Sequence, residues 1–193
     1  MKKEATITAG PRTTLGMHPQ KFAMWLFMVS VFMLFAGLTS AYIVRQAEGD
    51  WYVFQLPEMF TYSTIALLIS SATMHLAYLS AKKDNINLVR IYILITSLLG
   101  IAFLIMQFVG YIQLIDMNVY LVGNPSGSFV YLIAGVHAVH IISAVIFVIV
   151  MLIHAFKFEI HSRKMISIEM CATYWHFLDA LWVFLFIFML LSR

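Results

Sequence analysis

The sequence predicts an all-α membrane protein, a single bundle of five helices that each cross the bilayer. Three observations carry this reading. Of 193 residues, 62% are hydrophobic and only 11% charged, and the mean hydropathy is +0.90. A soluble domain of this size cannot hide so much apolar surface, so lipid is the solvent. The apolar residues fall into five runs, about 22–44, 60–81, 91–115, 129–153 and 171–192, each long enough to cross ~30 Å of hydrocarbon at 1.5 Å per residue. Finally, Asp179 is the one Asp, Glu, Lys or Arg inside any of these runs.

Residues 1–21 read as a polar arm with Gly10-Pro11 and His18-Pro19 as breakers. Residues 22–193 read as one membrane domain. The first apolar run is longer than the core of a cleaved signal peptide, so it is expected to remain as a span. The stretches outside the spans are too short for a folded extramembrane domain. Cys171 is the only cysteine. It can form no disulfide within the chain and no cysteine-based metal cluster.

Orientation follows from the basic residues. The arm has Lys2, Lys3, Arg12 and Lys21; the second loop has Lys82, Lys83 and Arg90; the fourth has Lys157, Arg163 and Lys164. Only Arg45 and Arg193 lie on the other side. The positive-inside rule therefore puts the N-terminus in the cytoplasm and the C-terminus outside. Trp51, Tyr52 and Tyr120 suit the outer interface. Lys157, Arg163 and Lys164 could also hold anionic lipid headgroups, each contributing ~1 kcal/mol near a charged surface. As flanks of membrane spans, these basic loops call for no nucleic-acid partner.

The first three spans carry stripes of small or polar residues at steps of three and four. The first has Ser30, Met33, Gly37 and Ser40. The second has Ser63, Ala66, Ser70, Thr73 and Ala77. The third has Thr96, Gly100, Phe103, Gln107 and Gly110. Such stripes let helix backbones approach where the hydrophobic effect cannot drive association, so they are expected to be packing faces.

The fourth span places His137 and His140 on one face, continued by Ala144, Phe147 and Met151. The fifth holds Tyr174-Trp175-His176-Phe177-Leu178-Asp179, with Trp182 beyond it and Glu169 at its entrance. A carboxyl at mid-membrane costs about 2.5–3.5 kcal/mol on insertion scales, so it requires a partner or a task. Two readings of Asp179 are open: a proton-relay carboxyl, or a carboxyl locked by hydrogen bonds to His176 and neighbouring helices. A relay would normally show several acids stepping across the membrane, and here one lies deep.

The histidines are similarly open. They could ligate a haem b and make the chain a quinone-linked electron carrier, or they could bond between helices. His137 and His140, one turn apart, cannot serve two stacked haems. A single haem between His75, His154 or His176 stays open. A small transporter is a further alternative. Phosphate-binding, nucleophile-elbow and zinc-protease motifs are absent.

Gly127-Ser128-Phe129-Val130-Tyr131, followed by Gly135-Val136-His137-Ala138-Val139-His140, resembles the G-x-H-x-x-H helix of subunit III of haem-copper oxidases. Glu169 followed by Tyr174-Trp175-His176-Phe177-x-Asp179-x-x-Trp182 is similar to that family's last helix. Leu99-Gly100 with Gln107 and Tyr111 resembles its middle helix, and Ser70-Ser71-x-Thr73-x-His75 the helix before that. The likeness runs from about residue 18 to the C-terminus.

There are departures. Many family members carry an acid after a Ser in the helix matching 22–44, where this chain has Ser30-Val31. Another acid commonly precedes the middle-helix Tyr, where this chain has Gly110. Roles of those acids are not carried over. The long form has seven helices; five is similar to the short bacterial form.

The resemblance implies an accessory subunit of a cytochrome c or quinol oxidase in a bacterial inner membrane. Such a subunit has no haem or copper of its own. Those cofactors reside in the catalytic subunit I, against which it packs. It binds phospholipid, and supports oxygen reduction and proton pumping by the complex. Other oxidase subunits, and a respiratory supercomplex, are further expected partners. On this reading His137, His140, His176, Asp179, Gln107 and Glu169 form a buried polar core packed by Tyr174, Trp175 and Trp182. His18 is expected to help gather protons near the catalytic subunit.

Overall fold

A computed structural model of the chain describes residues 19–49, 51–156 and 166–192. His18 and the basic loop with Lys157, Arg163 and Lys164 lie outside the described residues. Five helices follow in order: α1 Pro19–Ala47, α2 Glu58–Lys82, α3 Ile86–Asp116, α4 Pro125–Phe156 and α5 Ile166–Leu191. All five are long and apolar enough to span a membrane, and each expected span falls on one of them. The 32 residues of α4 measure about 48 Å at 1.5 Å each. That exceeds the hydrocarbon thickness, so helix ends enter the headgroup region or the helices tilt.

Local chemistry sets the turns. Prolines open α1 and α4, where the missing N–H leaves no bond unmade. The ends of α2 and α3 share one device. Asp84 (φ 53°) and Asn118 (φ 60°) take the left-handed conformation, which short polar side chains tolerate. Asn85 N–H then donates back to Ser80 O at 3.0 Å and Val119 N–H to Leu114 O at 2.9 Å, satisfying carbonyls that the helix end would leave bare. At α4 the last carbonyls are met from a neighbour, since Arg90 Nε–H of α3 donates to Ala155 O at 3.0 Å.

α2, α3, α4 and α5 form a closed ring in which each helix packs on the next and α5 returns to α2. α1 lies outside the ring and, among the described residues, reaches only α4 and α5. The small-residue stripes of α2 and α3 face inward. A Cβ at Gly100 would come 2.7 Å from Trp175 Cη2, and one at Gly110 2.8 Å from Phe60 Cε2. Glycine there is what lets α3 accept those rings.

α1 reverses the expectation for its stripe. Ser30, Met33, Gly37 and Ser40 all face outward, Met33 with 67% of its surface exposed. The inward face is Met28, Val31, Phe35, Thr39 and Tyr42. Large side chains do the docking because α1 fills a groove between two helices rather than meeting one helix closely. Phe35 presents its edge to His137 and His140, and Tyr42 packs on Trp51, Phe129 and Phe188. At the Pro19 end, Lys21 Nζ pairs with Glu169 of α5 at 2.7 Å.

Candidate functional site

The polar groups of the bundle converge on one face of α2. Ser63, Thr64, Ser70, Ser71 and Thr73 line it, recurring after seven residues and so after two turns. Ser63, Thr64 and Ser70 each donate to a carbonyl one turn back, at 2.7–2.9 Å. Their O–H groups are thereby used inside α2, and their oxygens remain as acceptors for neighbouring helices.

Those acceptors are taken. Gln107 Nε2 of α3 donates to Ser63 Oγ at 2.9 Å. Trp182 Nε1 of α5 donates to Thr64 Oγ1 at 3.0 Å, and Trp175 Nε1 donates to Ser70 Oγ at 3.2 Å. Thr73 and Thr96 share a hydrogen bond of 2.8 Å between α2 and α3. Ser71 differs from its neighbours in making no bond to its own helix. Its hydroxyl meets His176 Nδ1 at 2.7 Å. Climbing α2 from Thr64 to Ser71, the α5 partners descend from Trp182 to Trp175 and His176, as antiparallel helices require.

His137 occupies the interior without a hydrogen bond. Both ring nitrogens are buried and unpartnered. Its ring stacks on Trp182, with centroids 4.9 Å apart and planes at 28°, and receives the edge of Phe103 at 6.1 Å. His140, half-buried, donates Nδ1–H to Val136 O at 2.8 Å, inside its own helix. Tyr174 bonds to Ser143 Oγ of α4 at 2.8 Å.

Two expectations for individual residues need correcting. Asp179 is buried, but neither carboxyl oxygen has a hydrogen-bond partner. His176 does not lock it, because the His176 ring turns to α2 and takes Ser71. Glu169 is not part of a buried core. Its side chain is 42% exposed and paired with Lys21, as suits a position in the first turn of α5 at the membrane edge. The two indoles do more than pack, since each donates to a hydroxyl of α2. The sequence reading marks Ser70 as a small residue and Ser70-Ser71 as part of a family motif without giving either a bonding role, and it passes over Thr64. The available signal was the hydroxyl pair Ser63-Thr64 repeated as Ser70-Ser71.

His154 and His75 lie apart from this interior. His154 sits in the last turn of α4 and donates Nδ1–H to Val150 O. His75 is exposed on α2, its ring 6.0 Å from that of His176. Among the described residues, no three of His, Cys, Asp and Glu are placed to hold a metal ion. What the arrangement does is join three helices through side chains near the middle of α2.

A sequence model of the family described as cytochrome c oxidase subunit III matches residues 51–192. The chain belongs to that family. Relatives agree with this along nearly the whole length. The cytochrome bo(3) ubiquinol oxidase subunit 3 of Buchnera aphidicola subsp. Schizaphis graminum is 29% identical over 176 residues, covering 89% of this chain and 93% of that one. The probable quinol oxidase subunit 3 of Staphylococcus saprophyticus is 28% identical over 172 residues, covering 86% and 85%. That of Staphylococcus aureus is 28% identical over 188 residues, covering 94% and 92%.

The protein is thus a multi-pass accessory subunit III of a haem-copper terminal oxidase of the respiratory chain, and other oxidase subunits are its partners. Family membership favours this reading over a haem b anchor or a transporter. The positions that departed from the family pattern now have a setting. Val31 is buried on the inward face of α1. Gly110 lies under Phe60, where any side chain would strike the ring.

Proposed function

We propose that this subunit serves a quinol-oxidising terminal oxidase of a bacterial inner membrane, packing against its catalytic subunit I with its own N-terminus in the cytoplasm and C-terminus outside. The quinol as donor is supported by its similarity to subunits of ubiquinol and quinol oxidases, and the orientation by the distribution of Lys and Arg. The observation that carries the mechanical part is the ladder of α2 hydroxyls bonded to α3 and α5. Interhelical hydrogen bonds in lipid contribute about 0.6 kcal/mol each on average. Distributed over three helices, they keep the ring rigid, and a rigid neighbour holds the catalytic subunit in its working conformation through repeated turnover.

In this role His137, His140, His176, Asp179 and Gln107, with Tyr174, Trp175 and Trp182, are the polar and aromatic filling of a support. Haem and copper chemistry stays on the partner subunit. Lys157, Arg163 and Lys164 would hold phospholipid headgroups, and His18 would gather protons near the uptake path. A supercomplex with other respiratory enzymes fits the same role.

The test is purification of the complex through a tag on this chain, followed by oxygen consumption with ubiquinol and with reduced cytochrome c. Ubiquinol should support turnover and cytochrome c should not; the reverse would overturn the assignment of the donor. Removing the subunit should leave the initial rate nearly unchanged and shorten the time to inactivation. An immediate loss of rate would defeat the supporting role. His18→Ala with no change in proton uptake by the complex would remove His18 from the proposal.

A further inference from the structure

The outer side of α5 is a groove. α1 and α2 both pack on α5 but not on each other, so they stand as walls on either side of it. The floor is built from Thr173, His176, Phe177, Ala180 and Phe184, of which Ala180 and Phe184 are exposed. Beside the α1 wall, Phe32, Phe177, Ala180, Leu181 and Phe184 enclose an apolar hollow of about 410 Å³. A small residue at the middle of the floor is what close approach of another helix backbone needs.

The α2 side of this groove is polar. His75 is exposed, and among the described residues its ring meets only those of Tyr78 and His176. His176 uses Nδ1 on Ser71, which leaves Nε2 as its second bonding atom. His75 lies seven residues from the Lys82 end of α2, or about 10 Å along the axis. His176 is within a turn of the centre of α5. Both are therefore at hydrocarbon depth, where ionisable side chains face protein or a water-filled cavity and not acyl chains. An acyl chain would fill the apolar hollow but offer no hydrogen bond to His75 or to His176 Nε2. A helix carrying a hydrogen-bonding side chain would satisfy them and fill the hollow together.

We propose that the groove over α5, between α1 and α2, seats a transmembrane helix of another subunit of the oxidase, and that a polar side chain of that helix engages the His75–His176 pair. This rests on the chain's membership of a multi-subunit oxidase. It adds which face meets a partner and what chemistry the partner brings.

Two measurements on the assembled complex test it. In the first, His75→Phe is compared with His75→Gln, using the amount of other subunits retained by a tag on this chain. Phenylalanine keeps the bulk and removes the bonding, and should weaken retention by roughly threefold to tenfold, the range for one lost interhelical hydrogen bond. Glutamine should restore it. Because His75 is outside the packed interior, the isolated chain should unfold at the same temperature in both variants. Equal retention in the two variants overturns the role of the pair.

In the second, a photoreactive benzophenone side chain replaces Leu79, exposed one turn from His75 on the same face of α2. Illumination should join it to a membrane segment of another oxidase subunit. Adducts confined to lipid, or to a second copy of this chain, overturn the proposal. The donor assigned above is read from turnover with ubiquinol, so that assignment can fail while the docking face stands.

Discussion

Gly100 and Gly37 sit in stripes of the same spacing, on α3 and α1. A methyl group added at Gly100 would lie 2.7 Å from Trp175 Cη2, whereas one at Gly37 would meet nothing within 4 Å. Around Gly100 the stripe is closed: Thr96, Gly100, Phe103, Gln107 and Gly110 are all buried. Around Gly37 it is open along its length. Small residues at helical spacing thus permit a close approach without saying whether the approaching helix belongs to the same chain. The ring around α2 is completed within the subunit. The outward face of α1 is left for whatever surrounds it.

The comparison can be broken most severely at Trp182. This residue stacks on His137, meets Phe103 and donates to Thr64. Trp182→Ala should lower the stability of the purified subunit by about 3–5 kcal/mol, as for a large aromatic removed from a packed interior. Denaturant or thermal unfolding in detergent measures this. A loss below ~1 kcal/mol would mean that the ring is not held at its centre.

Gly100→Val comes next. Cβ and its methyls would press on Trp175 and Val145, costing about 1–3 kcal/mol as overpacking does. The same measurement should show the fluorescence of Trp175 altered, because the ring must shift. An unchanged melting temperature would show that α3 can back away from α5.

Thr64→Val removes one rung while keeping the shape. The indole N–H of Trp182 would lose its acceptor, and the loss should be about 0.6 kcal/mol and at most about 1.7 kcal/mol. Values near 3 kcal/mol would mean that the rungs act as one cooperative network. Gly37→Ala should be the mildest, within about 0.5 kcal/mol on the isolated subunit. If it weakens retention of other subunits while leaving the melting temperature alone, the open stripe is a contact face. A large fall in the melting temperature would contradict the outward placement.

Much of this was readable residue by residue. Trp175, Trp182 and Gln107 stood out, and each takes part in a bond between helices. His137 stood out and is fully enclosed. What was misread has a common cause. The partner of His176 was sought along its own helix, at Asp179, because same-helix spacing is visible in a sequence. The true partner, Ser71, is 105 residues away and becomes adjacent only when α2 and α5 pair. Glu169 was grouped with the core because it belongs to the same family motif. Its pairing with Lys21, 148 residues distant, depends on where α1 docks.

The sequence by itself determined the number of helices, their limits to within a few residues and the family. Length, hydropathy and a few motif residues act locally, and each span must satisfy its own backbone bonds in lipid whatever its neighbours do. Only the tertiary structure decided which face of each helix is inside. In water an apolar stripe marks the buried face, but in lipid the outward face is as apolar as the inward one, and the pattern loses that information. Burial is then settled by shape and by hydrogen bonds between distant segments. That is why the stripes of α2 and α3 turned inward, while that of α1 turned out.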